Sequence, residues 1–486
     1  MSLFKKKAPS DPNALKLNYK RTFIIGFAFF GILLLWQVYD SWCPRFLSSL
    51  FMETFNKDNP EDVQYLVGCM MALDNLAALI MLPIFGRLSD KTHTKIGKRM
   101  PYILIGTFLC AVAFPFVPVL VHIHSLWGTI ALMAIVVFFA MMYRNPAVAL
   151  MPDITPKPLR SKANGIINIM GYIGGACATF VGMVPFFSVN KYLEAWSAGD
   201  PNLSVWAIEG PFLIASILMV ISAIVLAVKI KENKIAEEVY DDMQRGEAVA
   251  EVANKVEDDK PMSKANKTML ILILVAEFAW FMADNGIGTF MVNYSNFHLH
   301  ADFSKAMLAV IFGGVGSVVG FAVGGLIAGK IGRKWSIFTG LMITLLGYLI
   351  WITCSYTIPI PIPGVDEAGH EIPNAMPFYI YIVWLIKGFG MSLVHVNSFP
   401  MVVELCSSKD IGKFTGFYYA SSMAAQTITP IALGSLLLSK DFHFGMLPLY
   451  GLALVIVSSI VFAFVKNVKI DKTKIKTGLE AMDVDD

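Results

Sequence analysis

The chain of 486 residues is 56% hydrophobic and only 15% charged, with a mean hydropathy of +0.61. This composition excludes an ordinary soluble protein, and a net charge of +3 without a concentrated basic patch excludes a nucleic-acid-binding protein. The six cysteines lie in or beside apolar stretches without metal-ligand spacing, so the sequence predicts neither a disulfide framework nor a metal site.

About twelve apolar stretches reach the length of roughly 20 residues that a helix needs to cross a bilayer. In chain order they are residues 21–50, 63–86, 101–121, 126–150, 163–187, 211–230, 267–297, 304–328, 336–356, 377–400, 413–438 and 446–466. The sequence therefore predicts an all-α membrane protein with twelve transmembrane helices. The first stretch is too long for a signal-peptide core, so we expect it to remain in the mature protein.

Basic residues are concentrated in alternate connections, at the N-terminus and in residues 87–99, 157–162, 330–334 and 466–476. The intervening loops lack this excess. Because Lys and Arg mark cytoplasmic loops, both termini are predicted to face the cytoplasm. We expect a multi-pass protein of the plasma (inner) membrane.

The two halves of the chain repeat one another. A basic loop at Gly86–Lys91 has a shorter counterpart at Gly329–Lys334, each between two long apolar stretches. The predicted organisation is an N-terminal cytoplasmic tail (1–20), a six-helix bundle (21–230), a cytoplasmic linker (231–266), a second six-helix bundle (267–466) and a C-terminal cytoplasmic tail (467–486). The charged linker is interpreted as a solvated segment without chemistry of its own.

Ionisable residues recur at matching positions of the halves. Trp36 and Asp40 in the first span match Trp280 and Asp284 in the seventh, and a second constant offset matches three further pairs: Arg144 with His395, Asp153 with Glu404, and Gly165 with Gly416. Ionisable groups at mid-bilayer usually face the protein interior, where they pair or line a wet cavity. The hypothesis is that Asp40 meets Arg144 and Asp284 meets His395 around a central cavity. Structural pairing without a part in transport is the alternative.

Two segments carry a family resemblance. The Gly-x-x-x-Asp-Lys pattern of Gly86–Lys91 resembles the helix 2 to 3 signature of the major facilitator superfamily. Its continuation, Gly97–Gly106, and the segment Tyr143–Asn164 are similar to the glycoside-pentoside-hexuronide cation symporters and the related sucrose/proton symporters. The resemblance implies two pseudo-symmetric six-helix bundles that rock about a midplane sugar site by alternating access.

The same resemblance implies an intracellular latch. Its acidic and basic groups would bind helix ends in only one of two conformations. The predicted cytoplasmic gate comprises Gly86, Asp90, Lys91, Lys98, Arg99, Asp153, Arg160, Arg333 and Glu404. Positive-inside topology alone is the simpler explanation of the basic residues.

The coupling ion predicted from the resemblance is a proton rather than sodium. The two helix 2 acids of sodium-using melibiose carriers align with Ala78 and Leu82, which are apolar here, and Asp74 lies one turn earlier. Arg144, a basic residue, aligns with an acidic residue on helix 4 of those sodium-using carriers. Because Asp and His can exchange protons when their surroundings shift their affinity, the candidates for proton coupling are Asp40, Asp284, His395 and Glu277.

Sugar sites combine flat aromatic faces with polar groups that match hydroxyls. The predicted substrate-binding residues are Trp36, Tyr39, Asp40, Arg144, Trp280, Asp284, Asn285, Trp384 and Asn397. Trp36 and Trp280 rank first because each precedes an acid by one helical turn. Most aromatic rings in such a chain pack helices together or lie at the lipid interface. Such a structural role is the alternative for each of these rings.

The predicted function is secondary active transport, namely proton-coupled symport of a disaccharide or small glycoside. A drug or lysolipid transporter of the same superfamily is the alternative, because a fold does not select its cargo. A membrane-embedded enzyme or sensor would need a nucleophile with its base, or a large soluble domain, and the sequence shows neither. We expect no enzyme activity, no cofactor, a monomer in membrane lipid and a small-molecule sugar as the substrate.

Overall fold

The computed structural model describes residues 15–255, 264–365, 371–405, 411–439 and 441–466. These residues are almost entirely helical. The described strands are a short antiparallel pair, β1 (Gly364–Val365) and β2 (Glu371–Ile372), in which Gly364 lies opposite Ile372.

The first half forms ten helices, two of which lie in the segment between the halves. They are α1 (Tyr19–Thr54), α2 (Gln64–Lys91), α3 (Met100–Ala113), α4 (Phe116–His122), α5 (Leu126–Asp153), α6 (Arg160–Gly182), α7 (Val189–Ala198), α8 (Trp206–Lys229), α9 (Glu232–Glu238) and α10 (Tyr240–Lys255). Asn18 caps α1, because its side chain accepts a hydrogen bond from the Arg21 backbone N–H at 3.0 Å. The third span is broken between α3 and α4 beside Pro115, whose ring nitrogen has no hydrogen to donate.

The described residues of the second half form six α-helices, all of them long. They are α11 (Lys264–Asn293), α12 (Phe303–Ile331), α13 (Arg333–Thr357), α14 (Phe378–Leu405), α15 (Ile411–Leu437) and α16 (Leu447–Ala463). Between α11 and α12 the chain continues as a π-helical turn, Tyr294–His298. The Asp302 side chain then caps α12 through the Ser304 backbone N–H at 2.9 Å.

Eleven helices in the described ranges are long and apolar enough to cross a membrane. The eleventh predicted span, 413–438, is not among these, although the chain there forms the continuous helix α15. It carries Gln426 and several hydroxyl residues. Some of these hydroxyls donate to the helix's own backbone, as Thr429 Oγ1 does to the Ala425 carbonyl at 2.6 Å. Since α15 packs against both α2 and α11, it lies within the helical assembly. The predicted all-α membrane fold is confirmed.

The helices pack as two bundles. In the first bundle α1 contacts α2, α5, α6 and α8, and α3 contacts α5 and α8. In the second, α11 contacts α15 and α16, and α14 contacts α12 and α13. The bundles meet through three helix pairs: α2 with α15, α6 with α12, and α1 with α11. The start of α1 and the helices α9 and α10 lie at one side of the membrane, which we call the linker side. The other side of the membrane is called the opposite side.

A buried polar network joins the bundles toward the opposite side. Asn293 Nδ2 donates to Ser48 Oγ at 3.0 Å and to Gln64 Oε1 at 2.8 Å, and Gln64 Nε2 donates to Ser48 Oγ at 3.2 Å. All three residues are fully buried. Breaking these contacts would leave buried polar groups unpaired, which costs more than a hydrogen bond ordinarily contributes. The network therefore holds the opposite side closed.

Contacts around this network extend the seal. The Arg45 guanidinium of α1 lies 4.3 Å from the ring centre of Phe297, and Ser188 Oγ donates to Asp302 Oδ2 at 2.8 Å. Nearer mid-membrane, Asn75 Nδ2 donates to the Gln426 carbonyl at 3.3 Å. The bundles are thus held together from mid-membrane to the opposite side.

Close packing of α2 against α15 generates a prediction. A Cβ added at Gly68 would lie 2.0 Å from the Pro430 carbonyl oxygen, a backbone atom that cannot move aside alone. We expect Gly68→Ala to push the two helices apart and to destabilise the closed opposite side by about 1–3 kcal/mol. Thermal unfolding in detergent should show a lower midpoint. Gly314→Ala, with no atom within 4 Å of the added Cβ, is the matched control; equal midpoints for the two variants would contradict the prediction.

Candidate functional site

The two predicted acids lie on helices at the interior of the molecule. Asp40 is on α1 and Asp284 on α11, each past the midpoint of its helix, and these helices contact one another between the bundles. Asp40 is exposed although α1 contacts six other helices, and the Asp284 side chain is 34% exposed. Both carboxylates therefore face accessible space within the protein. A charged group at this depth is expected to face such a space rather than lipid.

Asp284 lies between two basic side chains of α14. Lys387 Nζ is 2.5 Å from Asp284 Oδ1, and His395 Nε2 is 3.9 Å from Asp284 Oδ2. Lys387 and His395 are two helical turns apart and so share a face of α14. The predicted contact of Asp284 with His395 is present, and a lysine lies closer to the carboxylate than the histidine does.

Lys387 is a site residue that the sequence reasoning missed. Its side chain is 8% exposed, and Nζ lies 4.8 Å from the ring centre of Trp384. The signal was a single lysine within an otherwise apolar span, which by itself indicates a functional position. The repeat between the two halves does not indicate Lys387, because the first half has no basic residue at the equivalent place.

Asp40 and Arg144 differ from the predicted pair. They form no ion pair with a nitrogen–oxygen distance of 4.0 Å or less, although the charge of Arg144 acts on Asp40. Arg144 is half-buried on α5. The charges of Asp40 and Asp74, on α2, also interact, and Tyr39 lies beside Asp74. The first bundle therefore presents an accessible carboxylate near a guanidinium that it does not contact directly.

Three other predicted substrate residues lie near these groups. Trp36 is half-buried and packs edge-to-face on Tyr39 with ring centres 5.6 Å apart. Asn285, beside Asp284, has a buried side-chain oxygen with no hydrogen-bond partner. Trp384 is 7% exposed beneath Lys387.

Two predicted substrate residues occupy other places. Trp280 is fully buried and packs on Phe462 of α16, with ring centres 6.2 Å apart, instead of facing the central space. Asn397 is fully buried; its Nδ2 donates to Ser336 Oγ at 3.0 Å, and Arg333 donates to its Oδ1 at 3.4 Å. Asn397 thus fastens α14 to α13. In this conformation neither side chain can contact a central substrate.

Glu277, the fourth candidate for proton coupling, is fully buried two turns before Asp284 on α11. Both carboxylate oxygens lack a hydrogen-bond partner among the described residues. A buried, unpaired carboxyl group strongly prefers its neutral, protonated form.

The predicted gate is organised around Arg99 on the linker side. Its Nε donates to Asp153 Oδ2 at 2.8 Å, its Nη1 donates to Ser89 Oγ at 2.5 Å, and its Nη2 contacts Asp90. Lys98 Nζ lies 3.0 Å from Asp153 Oδ2. Burial lowers the pKa of the Arg99 guanidinium, but the bonds and charges of Asp153 and Asp90 outweigh burial and raise it, so Arg99 stays charged. All these partners belong to the first bundle.

Glu232, at the start of α9, completes the cluster and was also missed. Its carboxylate accepts backbone N–H hydrogen bonds from Lys98, Arg99 and Met100, each at 3.0 Å. It is 3% exposed and caps the N-terminus of α3, where negative charge is stabilising. Gly97 has φ of +125°, and a Cβ there would lie 2.1 Å from Glu232 Oε2. The segment between the bundles, to which the sequence assigned no chemistry, is therefore part of this loop assembly.

The remaining gate residues divide into three groups. The Gly86 carbonyl accepts from Ser89 Oγ at 2.8 Å, and Arg160 donates to the Pro152 and Thr155 carbonyls at 2.8 and 3.0 Å. Lys91 is exposed at the end of α2, and Arg333 is buried against Asn397. The side chain of Glu404 lies outside the described part of the structure.

Two helical bundles that meet around accessible, partly compensated charges define a multi-pass membrane transporter. The sequence profile of the Major Facilitator Superfamily matches residues 46–366, and the chain belongs to this family. It is a transporter rather than an enzyme.

Curated relatives match part of the chain. The sucrose transport protein SUC3 of Arabidopsis thaliana is 26% identical over 183 residues, which are 32% of this chain and 29% of that protein. The sucrose transport protein SUT1 of Oryza sativa subsp. japonica is 26% identical over 194 residues, 34% of each chain. The chain thus matches about a third of the length of these relatives.

Solved structures share the fold across nearly the whole chain. The peptide transporter PepTSo of the POT family covers 93% of this chain and 98% of its own, with a TM-score of 0.60 at 12% identity. The xylose transporter XylE from E. coli covers 92% of this chain and 98% of its own, with a TM-score of 0.59 at 15% identity. At these identities the likeness shows the fold alone.

The cap that Glu232 provides generates a prediction. Glu232→Gln replaces a charged acceptor of three backbone N–H groups by an amide with one acceptor oxygen, which should cost about 1–2 kcal/mol. We expect α9 to detach more often, so that trypsin cuts after Lys234 faster in the intact protein. Glu237→Gln, at an exposed position of the same helix, is the control. Equal cleavage rates in the two variants would show that the cap does not hold α9.

Proposed function

We propose that this protein is a proton-coupled symporter that takes up a disaccharide or another small glycoside by alternating access. The observation that carries the proposal is the arrangement of Asp284 between Lys387 and His395 in the second bundle. Such a group can gain or lose a proton and change its ion pairs, which is what coupling to a proton gradient requires. It faces a first bundle whose acid, Asp40, is exposed.

Sugar recognition is proposed for the first bundle. Asp40 and Arg144 offer an acceptor and a set of donors that do not contact each other directly, so both have capacity for hydroxyl groups. Trp36 adds a half-buried aromatic face one turn before Asp40. The partial similarity to sucrose transport proteins supports a glycoside as the cargo.

Proton movement is proposed for the second bundle. Protonation of Asp284 would remove its attraction to Lys387, and protonation of His395 would place a second positive charge beside the same carboxylate. Either change would allow the helices to rearrange. One proton moving inward across 100 mV supplies about 2.3 kcal/mol, which suffices to concentrate a neutral solute more than tenfold. A proton suits this site better than sodium, because α2 has apolar Ala78 and Leu82 where related sodium carriers have acids.

We propose that the linker side is cytoplasmic, because the basic loops lie there. The protein would then function in the plasma membrane, as a monomer in lipid, with its outward face closed in this structure.

Transport by the purified protein in proteoliposomes tests this function. We expect labelled sucrose or another small glycoside to exchange in counterflow, and external acid (pH 5.5 against pH 7.5 inside) to drive accumulation by about tenfold or more. Collapse of the gradient with a protonophore should abolish accumulation but not counterflow. Exchange of lipophilic cations or lysolipids without any glycoside would instead favour the drug or lysolipid alternative.

The ion pair of Asp284 and Lys387 generates a two-step prediction. Asp284→Asn leaves a buried lysine without its partner, so it should lower the unfolding free energy by about 3–5 kcal/mol and abolish acid-driven accumulation. Asp284→Asn combined with Lys387→Met should recover much of the stability and remain uncoupled. Asp58→Asn, on an exposed loop, is the control for loss of a carboxylate. If the double variant still accumulated glycoside in response to external acid, the coupling proton would bind at a site other than Asp284.

A further inference from the structure

Two histidines meet at the edge of the opposite-side seal. His298 ends the π-helical turn after α11, and His443 precedes the short 3₁₀ turn Phe444–Met446 that leads into α16. Their rings stack with centres 5.7 Å apart and planes inclined by 27°. A Cβ on Gly445 would lie 2.6 Å from His443 Cε1 and 2.9 Å from His298 Cε1. The two imidazoles therefore enclose the Gly445 backbone tightly.

The hydrogen bonding of His443 requires its neutral form. The Gly445 backbone N–H donates to His443 Nδ1 at 3.0 Å, and this bond caps the 3₁₀ turn. A nitrogen that accepts a hydrogen bond carries no proton, whereas both ring nitrogens of a charged histidine are donors. Protonation at Nδ1 would break the cap, and a second proton on His298 would add repulsion between two stacked cations.

This pair is connected to the contacts between the bundles. Phe297 adjoins His298, and its ring stacks on Phe444, next to His443, with centres 5.9 Å apart. The Arg45 guanidinium of α1 also lies 4.3 Å from the centre of the Phe297 ring. Asn293 of the buried network lies one turn before Phe297. Separation of the two histidines would therefore displace the side chain that Arg45 contacts.

Other ionisable groups around the pair do not reverse this effect. His300 follows in the same connection and would add positive charge when protonated. The first turn of α12 brings Asp302 and Lys305, of opposite charge, and the Asp302 carboxylate already accepts hydrogen bonds from Ser188 and Ser304. Further groups on the packed elements are Tyr294, Arg45 on α1 and Asp441 before His443. No ion pair with a carboxylate is recorded for His298 or His443 among the described residues.

We propose that His298 and His443 form a proton-operated latch of the opposite side. When both are neutral, they hold the π-helical turn against the start of α16 and keep Phe297 against Arg45. When protons bind, the turn and α16 separate and the seal opens. The stability that the latch contributes is present when the imidazoles are neutral and is lost as acid protonates them.

The latch goes beyond the proposed function, because it needs neither the cargo nor proton exchange at Asp284. It is distinct from His395, which lies on α14 beside Asp284. Under the proposed orientation the latch faces the outside, so external acid would favour the outward-open state before any substrate binds.

The test measures opening without transport. Spin labels at Trp127 and Tyr356, exposed on the opposite side of the first and second bundles, replace these residues in a chain whose six cysteines are alanine or serine. Distances between the labels are recorded in nanodiscs without sugar at pH 7.5, 5.5 and 4.0. We expect acid to increase the ratio of the longer to the shorter distance by about tenfold or more. His298→Gln with His443→Gln should remove this change.

Two further variants make the result decisive. His443→Arg places a permanent charge next to His298 and should favour the longer distance already at pH 7.5. His124→Gln is the control, because it removes another histidine of the opposite side, whose Nδ1 lies 2.8 Å from Glu53 Oε1. This variant should keep the acid response. An unchanged acid response in the double glutamine variant, or no response in the parent chain, would overturn the latch. Sugar counterflow of the same proteins at pH 7.5 tests the proposed function separately.

Discussion

A carboxylate within the membrane must be neutralised or hydrated, and this constraint organises the second bundle. Asp284 meets the constraint through Lys387 and His395, both on one face of α14, so the charges tie α11 to α14 at the depth where a substrate would pass. The first bundle meets it differently, because Asp40 remains accessible and does not contact Arg144 directly. The two halves thus carry an acid at equivalent positions, but only the acid of the second half, Asp284, is paired directly with basic side chains. That asymmetry is the physical basis for assigning sugar binding to one half and proton exchange to the other.

Most of the membrane helices followed from composition, because a span of some 20 apolar residues has few alternatives to a membrane helix. Within the gate, Arg99, Asp90 and Asp153 come together as the motif indicated. Here the interacting groups are fixed by the short loop between two long helices and by the end of a neighbouring one. The contacts within this cluster could therefore be predicted from the local sequence.

Other features depend on how helices rotate about their axes, which a repeat in sequence does not specify. Trp280 occupies the position equivalent to Trp36, yet it packs against Phe462 of α16, while Trp36 remains half-buried near Asp40. Asn397 joins α14 to α13 for the same reason. Glu232 and the pair of His298 with His443 rely on contacts between segments distant in the chain. No periodicity links such residues, so the sequence alone could not bring them together.

The distribution of contacts indicates which interactions would have to change in the proposed rocking of the bundles. Arg99 and its partners lie within the first bundle, and Glu232 attaches α9 to the same unit, so this assembly can move as one body. The network of Asn293, Ser48 and Gln64 instead crosses between bundles and must break for the opposite side to open. Because these groups are fully buried, separating them without admitting water would leave several donors and acceptors unpaired. Entry of water at the adjoining Phe297 would lower this cost, since it would supply replacement hydrogen bonds as the network separates. The edge of the seal, rather than its centre, is therefore where a small change in charge has the greatest effect on opening.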